Sequence, residues 1–175
     1  ANRPWRSDSI DAGVRRTVLD VIGNPLESHD SKGALLLYGY DEGNRPNRVW
    51  ARDGLNQPLT LRQVLIYGDR PDSGLSADVA RQRNLLGKPY QQYDEAGLVT
   101  IVGYDFKGNP VSQSRQVLSD AKLLAAYDNA AQRNWTIDAY RVDWQAPVNV
   151  TLAAHAQTLL DSAVYETSSR YDALN

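Results

Sequence analysis

The side chains suited to chemistry are few and scattered. His29 stands beside Asp30, a pairing that in an enzyme orients a general base, but the sequence offers no partner nucleophile. His155 lies in an alanine-rich segment and reads as a packed or surface histidine rather than a ligand. There is no cysteine, which excludes disulfides, zinc–thiolate sites and a cysteine nucleophile. Asp41, Asp53, Asp94 and Asp105 sit in turn-forming stretches with the acidic character of calcium loops. Such a loop gathers several carboxylates, however, and each stretch here supplies one or two. Arg81 and Arg83 read as a solvated face. No Gly-x-Gly-x-x-Gly, Walker loop, Gly-x-Ser-x-Gly or His-Glu-x-x-His occurs. The expectation is a chain without cofactor, metal or catalytic residues, and not an enzyme.

Composition narrows the partners. The 175 residues carry 19 basic and 21 acidic side chains, a net charge of −2, too balanced to draw nucleic acid or an anionic membrane. No apolar run approaches the roughly 20 residues of a membrane span. Ten tyrosines stand against one phenylalanine, which suits strands with one face packed and the hydroxyl end wet.

The elements that would position these residues announce themselves as a beat. Asp20 leads to Gly23, and Gly33 follows. Tyr40-Asp41 leads to Gly43, and Asp53 to Gly54. After a break the pattern resumes with Gly87, then Tyr93-Asp94 leading to Gly97, and Tyr104-Asp105 leading to Gly108. Tyr171-Asp172 opens a last copy. The physics of one unit is legible. Aspartate starts a turn by accepting from backbone amides two residues on. Glycine supplies the positive φ of tight hairpin turns. Proline fits the first residue of the next strand, because it has no N–H to give to a ladder. Between the turns lie apolar stretches of strand length, 34–40 and 98–104. One unit cannot bury its own face, so copies must stack. All of these aspartates, glycines and tyrosines are therefore expected to be structural.

These residues resemble the RHS, or YD-repeat, family of bacterial proteins, with its tyrosine–aspartate pair followed by a turn glycine. Residues 84–98, 104–110, Ser114-Arg115 and 170–175 resemble the repeat shell of the B component of insecticidal Toxin complex (Tc) proteins, and 64–69 fits the segment before it. The resemblance implies a spiral β-sheet that closes into a hollow shell around a toxic polypeptide. It implies as partners the rest of the shell and that polypeptide, and a secreted, extracellular location. The family's self-cleavage motifs cannot be placed on this chain, so no catalytic residue carries over. The last Tyr-Asp unit is broken off at the end of the chain, which leads to the expectation of one fragment of a longer shell.

The expected fold is mainly β: antiparallel strand-turn-strand repeats forming a curved sheet. Repeat block one spans 12–59, an interruption 60–83, block two 84–110, an insertion 111–163, and a further repeat starts at 164–175. Within the interruption, 61–67 reads as a strand and a short helix is expected near 76–85, with Ser76 as its N-cap. In the insertion, Val117, Leu118, Ala121, Leu124 and Tyr127 have helical spacing, and 153–160 also reads as helical. The insertion is expected to cover a sheet face. A severed repeat sheet leaves bare edges, so self-association through an edge, or its burial under the insertion, is expected. The function these features favour is a structural shell segment. The alternative is a carbohydrate- or cell-surface-binding module, which requires an exposed aromatic row such as Tyr38, Tyr93 and Tyr104.

Overall fold

The computed structural model describes residues 5–128 and 130–172. The tail of the terminal Tyr-Asp stretch, 173–175, lies outside the described residues. Ten antiparallel strands form one open sheet in strict sequence order: β1 (Arg6–Ser9), β2 (Gly13–Leu19), β3 (Pro25–Asp30), β4 (Leu35–Tyr40), β5 (Pro46–Arg52), β6 (Thr60–Tyr67), β7 (Pro89–Asp94), β8 (Gly97–Tyr104), β9 (Pro110–Val117) and β10 (Tyr165–Ser168). In such a meander the turns after even-numbered strands gather at one end of the sheet, and those after odd-numbered strands at the other.

Three of the even-end turns, those after β2, β4 and β8, share one construction. The N–H of Asp20 donates to Asn24 O, that of Asp41 to Arg45 O and that of Asp105 to Asn109 O. The aspartate carboxylate accepts from the amide two residues on, Ile22, Gly43 and Lys107 respectively, at 2.9–3.0 Å. The fourth turn residue needs φ in the left-handed region, and Gly23 (φ 100°), Asn44 (φ 58°) and Gly108 (φ 93°) occupy it. In the second turn, then, Asn44 and not its neighbour Gly43 carries the positive φ. Asparagine tolerates this conformation through its short polar side chain. Each unit also holds a register shift beside its proline: Leu19 opposes Pro25, Tyr40 opposes Pro46, Tyr67 opposes Pro89 and Tyr104 opposes Pro110.

The sheet runs without a gap through the expected interruption, because β6 pairs with β5 on one side and β7 on the other. What interrupts the beat is an enlarged turn, 68–88, which carries helix α1 (Ala77–Gln82). Ser76 Oγ caps α1 by accepting from Val79 N at 3.3 Å. The expected insertion also opens differently. Residues 110–117 form β9, and only then come the short helix α2 (Asp120–Leu124) and a 3-10 turn at Ala125–Tyr127. The apolar spacing of 117–127 hides this, since Val117 ends a strand whose remaining side chains are mostly polar. Helix α3 (Leu152–Gln157) is capped by Thr151 Oγ, which accepts from Ala154 N at 3.2 Å.

The two excursions pack on opposite faces. Tyr90 and Tyr93 lie three apart on β7, so their side chains leave on opposite sides. Tyr90 packs with Ala80, Leu85 and Tyr104 under α1. Tyr93 belongs to the larger core, with Leu61, Val64, Ile66 and Leu98 from the sheet and Leu118, Val142, Trp144, Ala156 and Leu160 from the insertion. The insertion therefore covers a face. It does not cover the edges: β1 and β10 are exposed along their whole length.

Candidate functional site

Two constellations stand out, and neither is the catalytic kind. The first is a row of tyrosine–proline bonds across the even end. Tyr40 OH donates to Pro25 O at 2.8 Å, Tyr67 OH to Pro46 O at 3.0 Å, Tyr104 OH to Pro89 O at 2.9 Å and Tyr171 OH to Pro110 O at 3.0 Å. In each of the first three rungs the tyrosine ends an even strand, and its hydroxyl bonds the proline that opens the preceding odd strand, on the side away from its own turn. Burial raises the phenols of Tyr67 and Tyr104 above their ordinary value, which keeps them as hydrogen-bond donors. Two rungs carry a cation over the ring, Arg45 at 4.1 Å from the Tyr67 centroid and Lys88 at 4.8 Å from that of Tyr104.

Tyr93-Asp94 reads in sequence like Tyr40-Asp41 and Tyr104-Asp105, but it ends an odd strand and so lies at the opposite end of the sheet. Tyr93 makes no rung and instead meets Trp144 edge to face. Asp94 caps the two-residue turn through Ala96 N at 2.8 Å, and the following Gly97 has φ 131° where a Cβ would run into the backbone of Gln116. Of the remaining expected turn glycines, Gly33 (φ 86°) follows Asp30 and Gly87 (φ 70°) precedes β7. Gly54 accepts from Gln57 N through its carbonyl. Asp172, beside Tyr171, lines a cavity with Phe106 and Val111.

The second constellation is a hub of charge at the odd end. Asp53 does not cap its turn. Its carboxylate takes two hydrogen bonds from Arg62, at 3.0 and 2.9 Å, and one from Arg141 at 2.7 Å. Glu95 is shared by the same two arginines, at 3.3 and 3.6 Å. Arg62 is placed by a β-bulge: Val49 pairs with Gln63 and Trp50 with Leu61, which leaves Arg62 as the extra residue, aimed at the turns. The hydrogen bond from Arg62 is the largest effect on Asp53 and, with that from Arg141, holds its carboxyl below the usual range against partial burial. The hub joins β6 and both flanking turns to the insertion, which carries Arg141. Beside it lies an open groove of about 690 Å³, floored by Leu36, Val49 and Ala51. Asp53 and Glu95 at its rim are ion-paired with Arg62.

The same insertion segment adds a strand-like graft on β6. Trp144 N donates to Leu61 O at 2.8 Å, and Leu61 N donates to Asp143 Oδ1 at 3.0 Å. The Trp144 indole N–H reaches Asp94 O at 3.2 Å. Sequence reading overlooked Tyr67, Arg62, Glu95, Arg141 and this role of Trp144. Tyr67 had a visible signal, since a proline opens the strand after it. The 21-residue turn between them concealed the match.

His29 contacts Glu27 on the same strand and no nucleophile, and His155 bonds the Asp143 carbonyl at 2.9 Å. Among the described residues no group of three His, Cys, Asp or Glu side chains could hold a metal ion. No helix among them is long and apolar enough to cross a membrane.

A sequence-ordered antiparallel sheet whose hairpins repeat one turn and one tyrosine–proline rung defines a repeat-sheet protein. No protein-family model matches the chain. A curated relative, the toxin subunit YenC1 of Yersinia entomophaga, is 27% identical over 117 residues, covering 66% of this chain and 12% of that protein. Among solved structures, the TcdB2–TccC3 crystal structure matches with TM-score 0.75 at 22% identity, over 98% of this chain and 7% of the other. The Photorhabdus luminescens Tc holotoxin pore with a TccC3-D651A mutation matches equally, TM-score 0.75 and 22% identity over the same shares. The TcdB2–TccC3–Cdc42 structure follows at TM-score 0.73. The chain is thus similar in sequence to one Tc toxin subunit and shares the fold of solved Tc toxin components. It spans about an eighth of the curated relative and a smaller share of the solved chains.

Proposed function

We propose that this chain is a wall segment of a Tc-type RHS shell that helps enclose and deliver a toxin polypeptide outside the producing cell, with no chemistry of its own. Its partners are then the remainder of the shell and the enclosed polypeptide. The observation that carries the reading is the unbroken ten-stranded meander, held in register by repeated rungs and similar over nearly its whole length to TcdB2–TccC3. The constellations described above serve construction: aspartates close turns, tyrosines lock strand ends, and the charge hub fixes the insertion to the sheet.

The carbohydrate-binding alternative gains nothing from the aromatics it needs. Tyr93 and Tyr104 are 2% and 9% exposed, so with Tyr38 they make no open stacking row. Electron cryomicroscopy of the complete protein to which this sequence belongs tests the proposal. A hollow β-walled particle with these ten strands in its wall is the expected image. A solid domain in which both sheet faces are buried against other chain would refute the shell.

A further inference from the structure

We propose that a cavity at the odd end of the sheet, spanning β2 to β5, binds a small phosphate monoester between Arg16 and Arg52. The cavity holds about 380 Å³, and its lining includes Val14, Arg16, His29, Asp30, Arg52 and Leu55. The register builds it. Arg16 pairs with His29, His29 with Leu35 and Leu35 with Arg52. Cross-strand partners share a face, so the two arginines end one row across four strands and leave the sheet on the same side. Three strand spacings separate them, about 14 Å at the backbone, with the cavity in the space between. The site goes beyond the shell reading and does not depend on it.

Open charge is what singles the cavity out. Arg52 Nε donates to Gly33 O at 3.3 Å, which fixes the guanidinium and uses one of its five N–H donors. The other four, and all five of Arg16, have no hydrogen bond or ion pair among the described residues. Arg45, Arg62 and Arg141, by contrast, each meet a carboxylate. The nearby acids are engaged elsewhere. Asp30 Oδ1 accepts from Lys32 N and Ala34 N at 2.8 and 2.9 Å, and His29 Nε2 bonds Glu27. Asp8 pairs with Arg6, the residue opposite Arg16 on β1, and Asp53 is held in the hub. Two open guanidinium forks over one cavity match a tetrahedral oxyanion, which each can bind bidentately. A phosphate monoester supplies one with about two negative charges at neutral pH. Volume favours the ester over the bare ion, because 380 Å³ lies in the range of about 300–1,000 Å³ typical of pockets for organic ligands. Val14 and Leu55 offer its body apolar contact.

Isothermal titration calorimetry of the chain with phenyl phosphate tests the site. Saturable binding of one ligand per chain is expected. Phenol, which lacks the anion, should give no binding heat, and inorganic phosphate, which lacks the apolar body, should bind several-fold more weakly. Arg16→Gln and Arg52→Gln should each weaken phenyl phosphate about tenfold or more, through the loss of charge-assisted hydrogen bonds. Arg81→Gln, on helix α1 where Arg81 pairs with Asp78, should bind like the parent. Circular dichroism checks that each variant keeps its strands, and Arg16 makes no side-chain bond among the described residues whose loss would disturb them. A parent chain that does not bind phenyl phosphate, an affinity unchanged by Arg16→Gln, or equal affinities for phenyl phosphate and inorganic phosphate would overturn the proposal.

Discussion

Trp144 meets Tyr93 edge to face, with ring centroids 5.2 Å apart and planes at 64°. One ring comes from the insertion and the other from the seventh strand, fifty-one positions earlier. This pair converts a long connection between β9 and β10 into a lid on the sheet. Trp144 is fully buried, its indole N–H is satisfied by Asp94 O, and its own amide continues onto Leu61. An aromatic whose polar atom is paired can be buried without a desolvation penalty, so the apolar gain is kept.

Replacing Trp144 with alanine should therefore destabilise the chain by about 3–5 kcal/mol, through lost burial and the cavity left beneath the insertion. Chemical denaturation measures it. Trp135, 74% exposed in the same insertion, is the internal comparison, and its alanine variant should fall within about 0.5 kcal/mol of the parent. Equal effects at the two positions would mean that the insertion is not anchored through Trp144.

The rungs predict a graded series. Tyr104→Phe removes a hydroxyl from a ring only 9% exposed and leaves the Pro89 carbonyl unpaired, for a loss of about 0.5–1.5 kcal/mol. Tyr171→Phe removes the same bond where the ring is 38% exposed and water can replace it, so its effect should be smaller. Thermal unfolding of both variants checks the order. If Tyr171→Phe proved the more damaging, the rungs would not be ranked by burial.

How much of this was readable in advance depends on the range over which the cause acts. A turn is made by residues two to four apart, so Asp20 with Gly23 and Asp105 with Gly108 are visible from spacing alone, and the strands between them follow. The same local reading puts Asp53-Gly54 and Tyr93-Asp94 among the same repeat turns as Tyr40-Asp41 and Tyr104-Asp105. What separates them is which end of the sheet each occupies, and that depends on counting every strand, including β6 and the polar β9. The hub is less legible still. Arg62 becomes its centre only because a bulge inserts one residue into β6, and Arg141 reaches it from eighty-eight positions beyond Asp53. Nothing local in the sequence marks a pairing at that distance.

The second even-end turn yields a test of conformation against composition. Asn44 has φ 58°, whereas Gly43 beside it has no positive φ. Asn44→Ala forces a Cβ-bearing residue with no local polar compensation into the left-handed region, and should cost about 1–2 kcal/mol. Asn44→Gly should be close to neutral, since glycine reaches this region freely. Gly43→Ala should cost less than Asn44→Ala. Equilibrium unfolding of the three variants decides; a reversed order would put the positive φ at the glycine.

Acid should loosen the hub. The Asp53 carboxyl is held below its ordinary value, first by the hydrogen bond from Arg62 and then, against partial burial, by Arg141. A group whose folded value is depressed contributes stability above its unfolded value, about 3.9 for aspartate, and loses it as pH falls through the folded one. Asp53→Asn should therefore be less stable than the parent at pH 7, and the two should converge below about pH 4. Asp41 is also lowered: partial burial pushes it up, but bonds from the Arg45 side chain and backbone outweigh that. Some acid sensitivity will thus persist in Asp53→Asn. Unfolding midpoints measured across this range give the result. A gap between parent and variant that stays constant from neutral to acid pH would show that the carboxylate's charge is not what ties Arg62 and Arg141 together.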